Sequence, residues 1–169
     1  MLITSAYQQE QQNLHEINPA YGQASVGYAA LVDDFIRRLN TPSLLDYGAG
    51  KGRLAQHLKE PVRVTEYDPA IPAKAGDPGG PFRFVVCIDV LEHVEPECLD
   101  AVLDDLQLKT RKHLFCTIHT GAAVKVLSDG RNAHLTQQLA SWWLPRLLDR
   151  FEIEQLQVTP HGFWTLLYR

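Results

Sequence analysis

Ser43-Leu-Leu-Asp-Tyr-Gly-Ala-Gly-Lys-Gly-Arg-Leu-Ala55 decides how this chain folds. The apolar pair Leu44 and Leu45 runs into three alternating glycines, Gly48, Gly50 and Gly52, and apolar residues then return at helical spacing. That order predicts a strand, a tight loop and the start of a helix. Glycines let the backbone turn with positive φ and let a ligand approach with no Cβ in the way. The first N–H groups of the helix have no partner inside it and suit an anion. The stretch therefore predicts a small anionic cofactor held against the first βα turn of an α/β fold.

Working outward, the spacing separates two kinds of cofactor. A dinucleotide site needs Gly-x-Gly-x-x-Gly/Ala, the last small residue allowing close packing of helix on strand. Counted from Gly48 that position is Arg53, which disfavours an NAD-type oxidoreductase. Gly52 comes one residue earlier, and Asp46 precedes Gly48 by two. Next, Pro61-Val-Arg-Val-Thr-Glu-Tyr-Asp68 reads as a second strand ending in an acid, 20 residues after Gly48. A carboxylate at that strand end can accept both hydroxyls of a ribose. Glu66, on the same face and one pleat back, is the neighbouring candidate. A third piece is Phe84–Ile88, an apolar β-branched run suited to a strand buried on both faces, followed by Asp89-Val-Leu-Glu-His93.

Asp-x-Gly-x-Gly-x-Gly over residues 46–52 resembles motif I of the class I S-adenosylmethionine (SAM)-dependent methyltransferases. Asp89–His93 resembles the segment that follows the fourth strand in many of them, and with Asp68 the likeness spans residues 43–118. It implies a Rossmann-like fold, a mostly parallel sheet with an antiparallel last strand. SAM is the implied cofactor. Asp46, Gly48, Ala49, Gly50 and Gly52 would receive its amino-acid end, Asp68 its ribose, and Asp89 the neighbourhood of its sulfonium. One segment departs from the family. Residues 69–81 hold four prolines and three glycines, which exclude a normal helix. The family usually has a helix and a third strand there, so the sheet edge is expected to be shortened, and no adenine contact is carried over.

Methyl transfer asks for alignment and, for some acceptors, a base. Ligands of open α/β sheets lie at the carboxyl ends of the strands, which selects Glu92, His93 and His119 as candidate catalytic residues. Either histidine titrates near neutrality and could take the acceptor's proton. Asp89, Glu92 and His93 also stand at i, i+3 and i+4, on one side of a helical turn. Such oxygens and imidazoles suit a divalent ion. The RNA 3′-end 2′-O-methyltransferases related to Hen1 are similar here, using Glu-x-x-Glu-His and a later histidine. His119 or His134 could be the later one in this chain. Asp replaces the first Glu and no RNA-binding extension is visible, so the reading adopted is a metal-free site with Glu92 and His93 facing the acceptor. A SAM-binding sensor or partner subunit without catalysis is the alternative of another class.

The rest of the sequence is consistent with one domain over residues 1–169, with 1–24 as an N-terminal lid or extension. The 169 residues carry a net charge of −4 and no cluster of Lys and Arg, so a small-molecule acceptor is expected ahead of nucleic acid. The cysteines, Cys87, Cys98 and Cys116, lack metal-motif spacing. No run approaches membrane-spanning length and no signal-peptide pattern opens the chain, so a cytoplasmic location is expected. A short helix and a loop, Pro19-Ala-Tyr-Gly22, precede a helix over 25–39, and Tyr21 and Gly22 are placed as a lid. Further elements are expected as a short helix over 53–59, a helix opened by Pro96, a strand over 114–118, and a helix over 133–143 capped by Asn132. Trp142 and Trp143 are consecutive and cannot both face the core of one helix. Phe151–Val158 and Phe163–Tyr168 are expected to close the fold as a β-hairpin.

Overall fold

In the computed structural model, residues 1–18 and 21–169 are described. Pro19 and Ala20 of the expected loop lie outside them. The apolar runs become strands β1 (Ser43–Tyr47), β2 (Arg63–Tyr67), β3 (Phe82–Ile88), β4 (Thr110–His119), β5 (Glu152–Thr159) and β6 (Gly162–Tyr168). They form one sheet in the order β2-β1-β3-β4-β6-β5. The first four are parallel to one another, while β6 runs antiparallel to both β4 and β5. The mostly parallel sheet with an antiparallel last strand is thus present. Between β2 and β3 the chain makes only a single 3-10 turn, Pro72–Lys74, so β2 is the sheet edge. The proline and glycine content of 69–81 leaves no room for another helix and strand.

Helices α1 (Ser5–Ile17), α2 (Ala24–Leu39), α3 (Arg53–His57), α4 (Leu99–Lys109) and α5 (Ala140–Leu148) complete the fold. Alternation along each strand assigns every side chain to a layer. Phe84, Val86 and Phe115 point to the α2–α3 side and pack with Val32, Phe35 and Leu54. Val85, Cys87, Leu114 and Cys116 point to the other side and pack with Leu103, Leu106, Trp143 and Leu147 of α4 and α5. All three cysteines are buried and free. No helix among the described residues is long and apolar enough to cross a membrane.

Four local expectations are corrected. The helix expected over 133–143 starts only at Ala140 and runs on through Pro145 to Leu148. Residues 133–139 are irregular because their backbone donors are taken from outside: Ala133 N–H by the Lys125 carbonyl and Thr136 N–H by the Glu92 carbonyl, each at 3.0 Å. Asn132 is therefore no helix cap. Its amide ties Ala123 and His134 together, accepting from both peptide N–H groups at 2.9 Å. Pro96 lies in a turn before α4, whose first residue is Leu99. Helix α3 stops at His57, since the N–H groups of Lys59 and Glu60 are bound by buried Asp33 at 3.1 Å.

Candidate active site

The carboxyl ends of β1, β2 and β3 open into one cavity roofed by α1. On the β1 side the loop turns through Gly48, Gly50 and Gly52 with φ of 78°, 49° and 73°. Side chains rarely take that conformation, and space is short as well. A Cβ on Gly48 would collide with Val90 Cγ2 and one on Gly52 with the Glu66 carboxylate. A Cβ on Gly50 would stand 3.2 Å from His15 Cε1 of α1. The peptide N–H groups of Gly48 and Ala49 are tied to the Tyr67 carbonyl at 2.8 and 3.0 Å, which fastens the loop to the end of β2.

Asp68 meets that loop directly. Its carboxylate accepts the N–H of Gly50 at 2.8 Å and of Ala70 at 2.9 Å, and it lines the cavity. Glu66 does not line it and instead pairs with Lys74 at 2.8 Å, whose ammonium also donates to the Gly50 carbonyl at 2.7 Å. Asp46 is buried beneath the loop. Burial, then the nearby Glu66 charge, pushes its carboxyl up to about 7, against the pull of Lys74.

The β3 side carries the second group. Asp89 is held at φ 58°, uncommon outside glycine, by hydrogen bonds from its N–H to Thr117 Oγ1 at 3.0 Å and the Thr117 carbonyl at 3.4 Å. Asp89 and His93 both line the cavity, and His93 Nδ1 bonds the Ala133 carbonyl at 2.8 Å. Glu92 does not face it, contrary to its expected orientation. It is fully buried, and its Oε1 accepts the N–H of His119 at 2.5 Å. Burial, then the Asp89 charge beside it, holds the Glu92 carboxyl well above the usual range. His119 lies behind the cavity, stacked on His161 with ring centroids 5.6 Å apart. Of the expected cofactor residues, Asp46, Gly48, Ala49, Gly50, Asp68 and Asp89 line the cavity and Gly52 does not.

Residues 1–24 are expected as a lid or extension, and the sequence assigns no cavity role to the side chains of α1. Tyr7, Gln11 and His15 line the cavity at i, i+4 and i+8, the spacing of one helix face. Tyr21 and Gly22 line it too, and Tyr21 donates to Gln11 Oε1 at 2.8 Å. Thr4 anchors the start of the helix, donating from N–H and hydroxyl to Glu95 at 2.8 and 2.6 Å.

Fold and cavity together define a class I SAM-dependent methyltransferase. The chain belongs to the methyltransferase domain family, whose model matches residues 22–157. No curated protein matches it. Among solved structures it is similar to the 1,6-didemethyltoxoflavin-N1-methyltransferase of Burkholderia thailandensis, crystallised with 1,6-didemethyltoxoflavin and S-adenosylhomocysteine: 17% identity, TM-score 0.72, 98% of this chain and 88% of that one. It is also similar to the magnesium protoporphyrin IX methyltransferase of Synechocystis PCC 6803 with bound S-adenosylhomocysteine, at 16% identity, TM-score 0.59, 97% of this chain and 94% of that one. Human N-acetylserotonin methyltransferase, in complex with SAM, matches at 15% identity and TM-score 0.59, over 96% of this chain and 54% of the human one.

Proposed function

We propose that this protein transfers the methyl group of SAM to an oxygen or nitrogen nucleophile of a small molecule. One observation carries the reading. The positive-φ glycine loop and Asp68 line the same cavity as Asp89 and His93, so a cofactor cradle and polar groups for a second molecule share one space. The residues present fit the cofactor: Gly50 leaves the cavity free of a Cβ, and the strand-end carboxylate of Asp68 stands where ribose hydroxyls can be accepted. Bound SAM supplies a methyl carbon on a positively charged sulfur, so the electrophile comes with the cofactor. The chain's own work is to hold and align. In this reading the glycine loop and Asp68 bind, Asp89 brings negative charge, and His93 lines the acceptor side of the cavity. Glu92 is a positioning residue that fixes the peptide of His119. The small molecules methylated by the structurally similar toxoflavin-precursor and N-acetylserotonin methyltransferases support a small acceptor over a nucleic acid.

Calorimetry tests this directly. SAM and S-adenosylhomocysteine should bind and NAD should not. Asp68→Ala should weaken SAM binding by about 1–3 kcal/mol, the range for losing hydrogen bonds to a charged group. NAD binding more tightly than SAM would overturn the reading, and unchanged affinity in Asp68→Ala would move the ribose acid elsewhere.

A further inference from the structure

Three side chains from three places in the chain converge beside the cavity. Asp89 follows β3, His93 closes the 3-10 turn Leu91–His93, and His134 comes from the irregular segment before α5. One ligand atom from each lies within 4.8 Å of the other two, and His93 Nε2 stands 4.0 Å from Asp89 Oδ2. The tautomers follow from the partners. His93 Nδ1 bonds the Ala133 carbonyl at 2.8 Å, and His134 Nδ1 bonds the Gly121 carbonyl at 2.7 Å. A carbonyl only accepts, so both Nδ1 atoms carry the proton and both Nε2 atoms keep a lone pair. Anchoring one ring nitrogen on the backbone is how metal-binding imidazoles are oriented. Asp89 adds the carboxylate from a left-handed backbone whose cost is met by its bonds to Thr117. Glu92 stands outside this group of three: its Oε1 accepts the His119 N–H inside the core, and its Oε2 is buried without a hydrogen-bond partner.

We propose that Asp89, His93 and His134 bind a divalent transition-metal ion through one carboxylate oxygen and the two Nε2 atoms. Two imidazoles with one carboxylate suit manganese, iron, cobalt, nickel or zinc rather than the all-oxygen shells of magnesium or calcium. Metal–ligand bonds of about 2.1 Å place ligand atoms roughly 3 Å apart, so binding draws the three groups inward by about an ångström of side-chain rotation. Asp89 and His93 line the cavity, so the remaining coordination positions face the acceptor. An acceptor that presents a hydroxyl or phenol oxygen fills them. This last point rests on the methyl-transfer reading. The ion site does not.

The test is a titration of the full chain, stripped with a chelator and free of SAM, with Co2+ followed by visible absorption. One Co2+ per chain with a saturating d–d band in the micromolar range is expected. His134→Gln should weaken binding more than about tenfold, beyond the lower bound for losing an outer-shell partner alone. His57→Gln, at an exposed histidine of α3 away from the three ligands, should bind as the unaltered chain does. If His134→Gln does not fold, Asp89→Asn replaces it with the same expected loss, since asparagine tolerates the left-handed backbone. No band up to millimolar Co2+ in the unaltered chain overturns the proposal, as does full affinity in a folded His134→Gln chain. Calorimetry with SAM is run alongside. Failure of SAM to bind would overturn the methyl-transfer reading, while a saturating cobalt band would still support the ion site.

Discussion

Asp46 shows how one residue can serve the loop and burden the fold. It precedes Gly48 by two, sits buried under the loop, and faces Glu66, Asp68 and Lys74. Its carboxyl is raised from 3.8 to about 7, chiefly by burial. The native state therefore keeps a proton that the unfolded chain gives up between those two values. Linkage then has a definite sign: the contribution of Asp46 to stability is greatest below about pH 4, falls as pH rises toward about 7, and is level above. The span corresponds to a loss on the order of a few kcal/mol. Asp46→Asn cannot ionise, so its urea midpoint should fall less between about pH 5 and about pH 8 than that of the unaltered chain. Glu92 is raised by burial as well and leaves some slope in the variant. An identical pH slope in both chains would mean that Asp46 stays ionised in the native protein.

At the scale of elements, β4 is the hinge of the packing. Phe115 is fully buried and touches the rings of Tyr28, Phe35 and Trp164, with centroids 6.0, 5.2 and 5.9 Å away. Those rings come from α2 and β6, so Phe115→Ala should open a cavity shared by helix and sheet and cost about 3–5 kcal/mol, read as a lower urea midpoint. Such strands were legible because their signal is local: Phe84–Ile88 and Leu114–Ile118 are apolar on both faces, and glycines mark the loop after β1. The hairpin of β5 and β6 was equally plain around Thr159-Pro-His-Gly162. Residues 133–139 were not, because what holds them is distant. Their apolar spacing suggests helix, yet their N–H groups answer to Lys125 and Glu92. Trp142 and Trp143 divided as their adjacency required. Trp143 is fully buried, and Trp142 carries the guanidinium of Arg146 at 3.6 Å from its ring centre. Asp46, Gly48, Ala49, Gly50, Asp68 and Asp89 line the cavity, since strand ends and positive-φ turns are written in residue type. Glu92 was misjudged in orientation because a 3-10 turn, not an α-helical one, follows β3 and turns it inward.

At the scale of the whole molecule, the sheet supplies the floor of the cavity and α1 the roof. The roof is fastened at separate points by polar contacts and adds little to the main core. Thr4 holds Glu95, Gln8 donates to the Pro69 carbonyl at 2.6 Å, Ser128 donates to Glu10 at 2.8 and 2.6 Å, and Lys51 donates to the Asn18 carbonyl at 2.7 Å. Only Tyr7 and Leu14 of α1 pack into a small apolar cluster, with Leu127 and Ala133. Segments with few buried apolar contacts open at lower free energy than core strands. The amides of Ser5–Ile17 should therefore exchange with deuterium much faster than those of Phe84–Ile88 and Leu114–Ile118. A cofactor beneath the roof has to enter past it, and afterwards it offers Tyr7, Gln11 and His15 a surface to close on. Saturating S-adenosylhomocysteine should slow exchange across α1 and the 48–52 loop together while leaving β3 and β4 unchanged. Protection of the glycine loop without protection of α1 would show that the helix is a fixed wall, and the cofactor's route would then lie on the side of Tyr21 and Gly22.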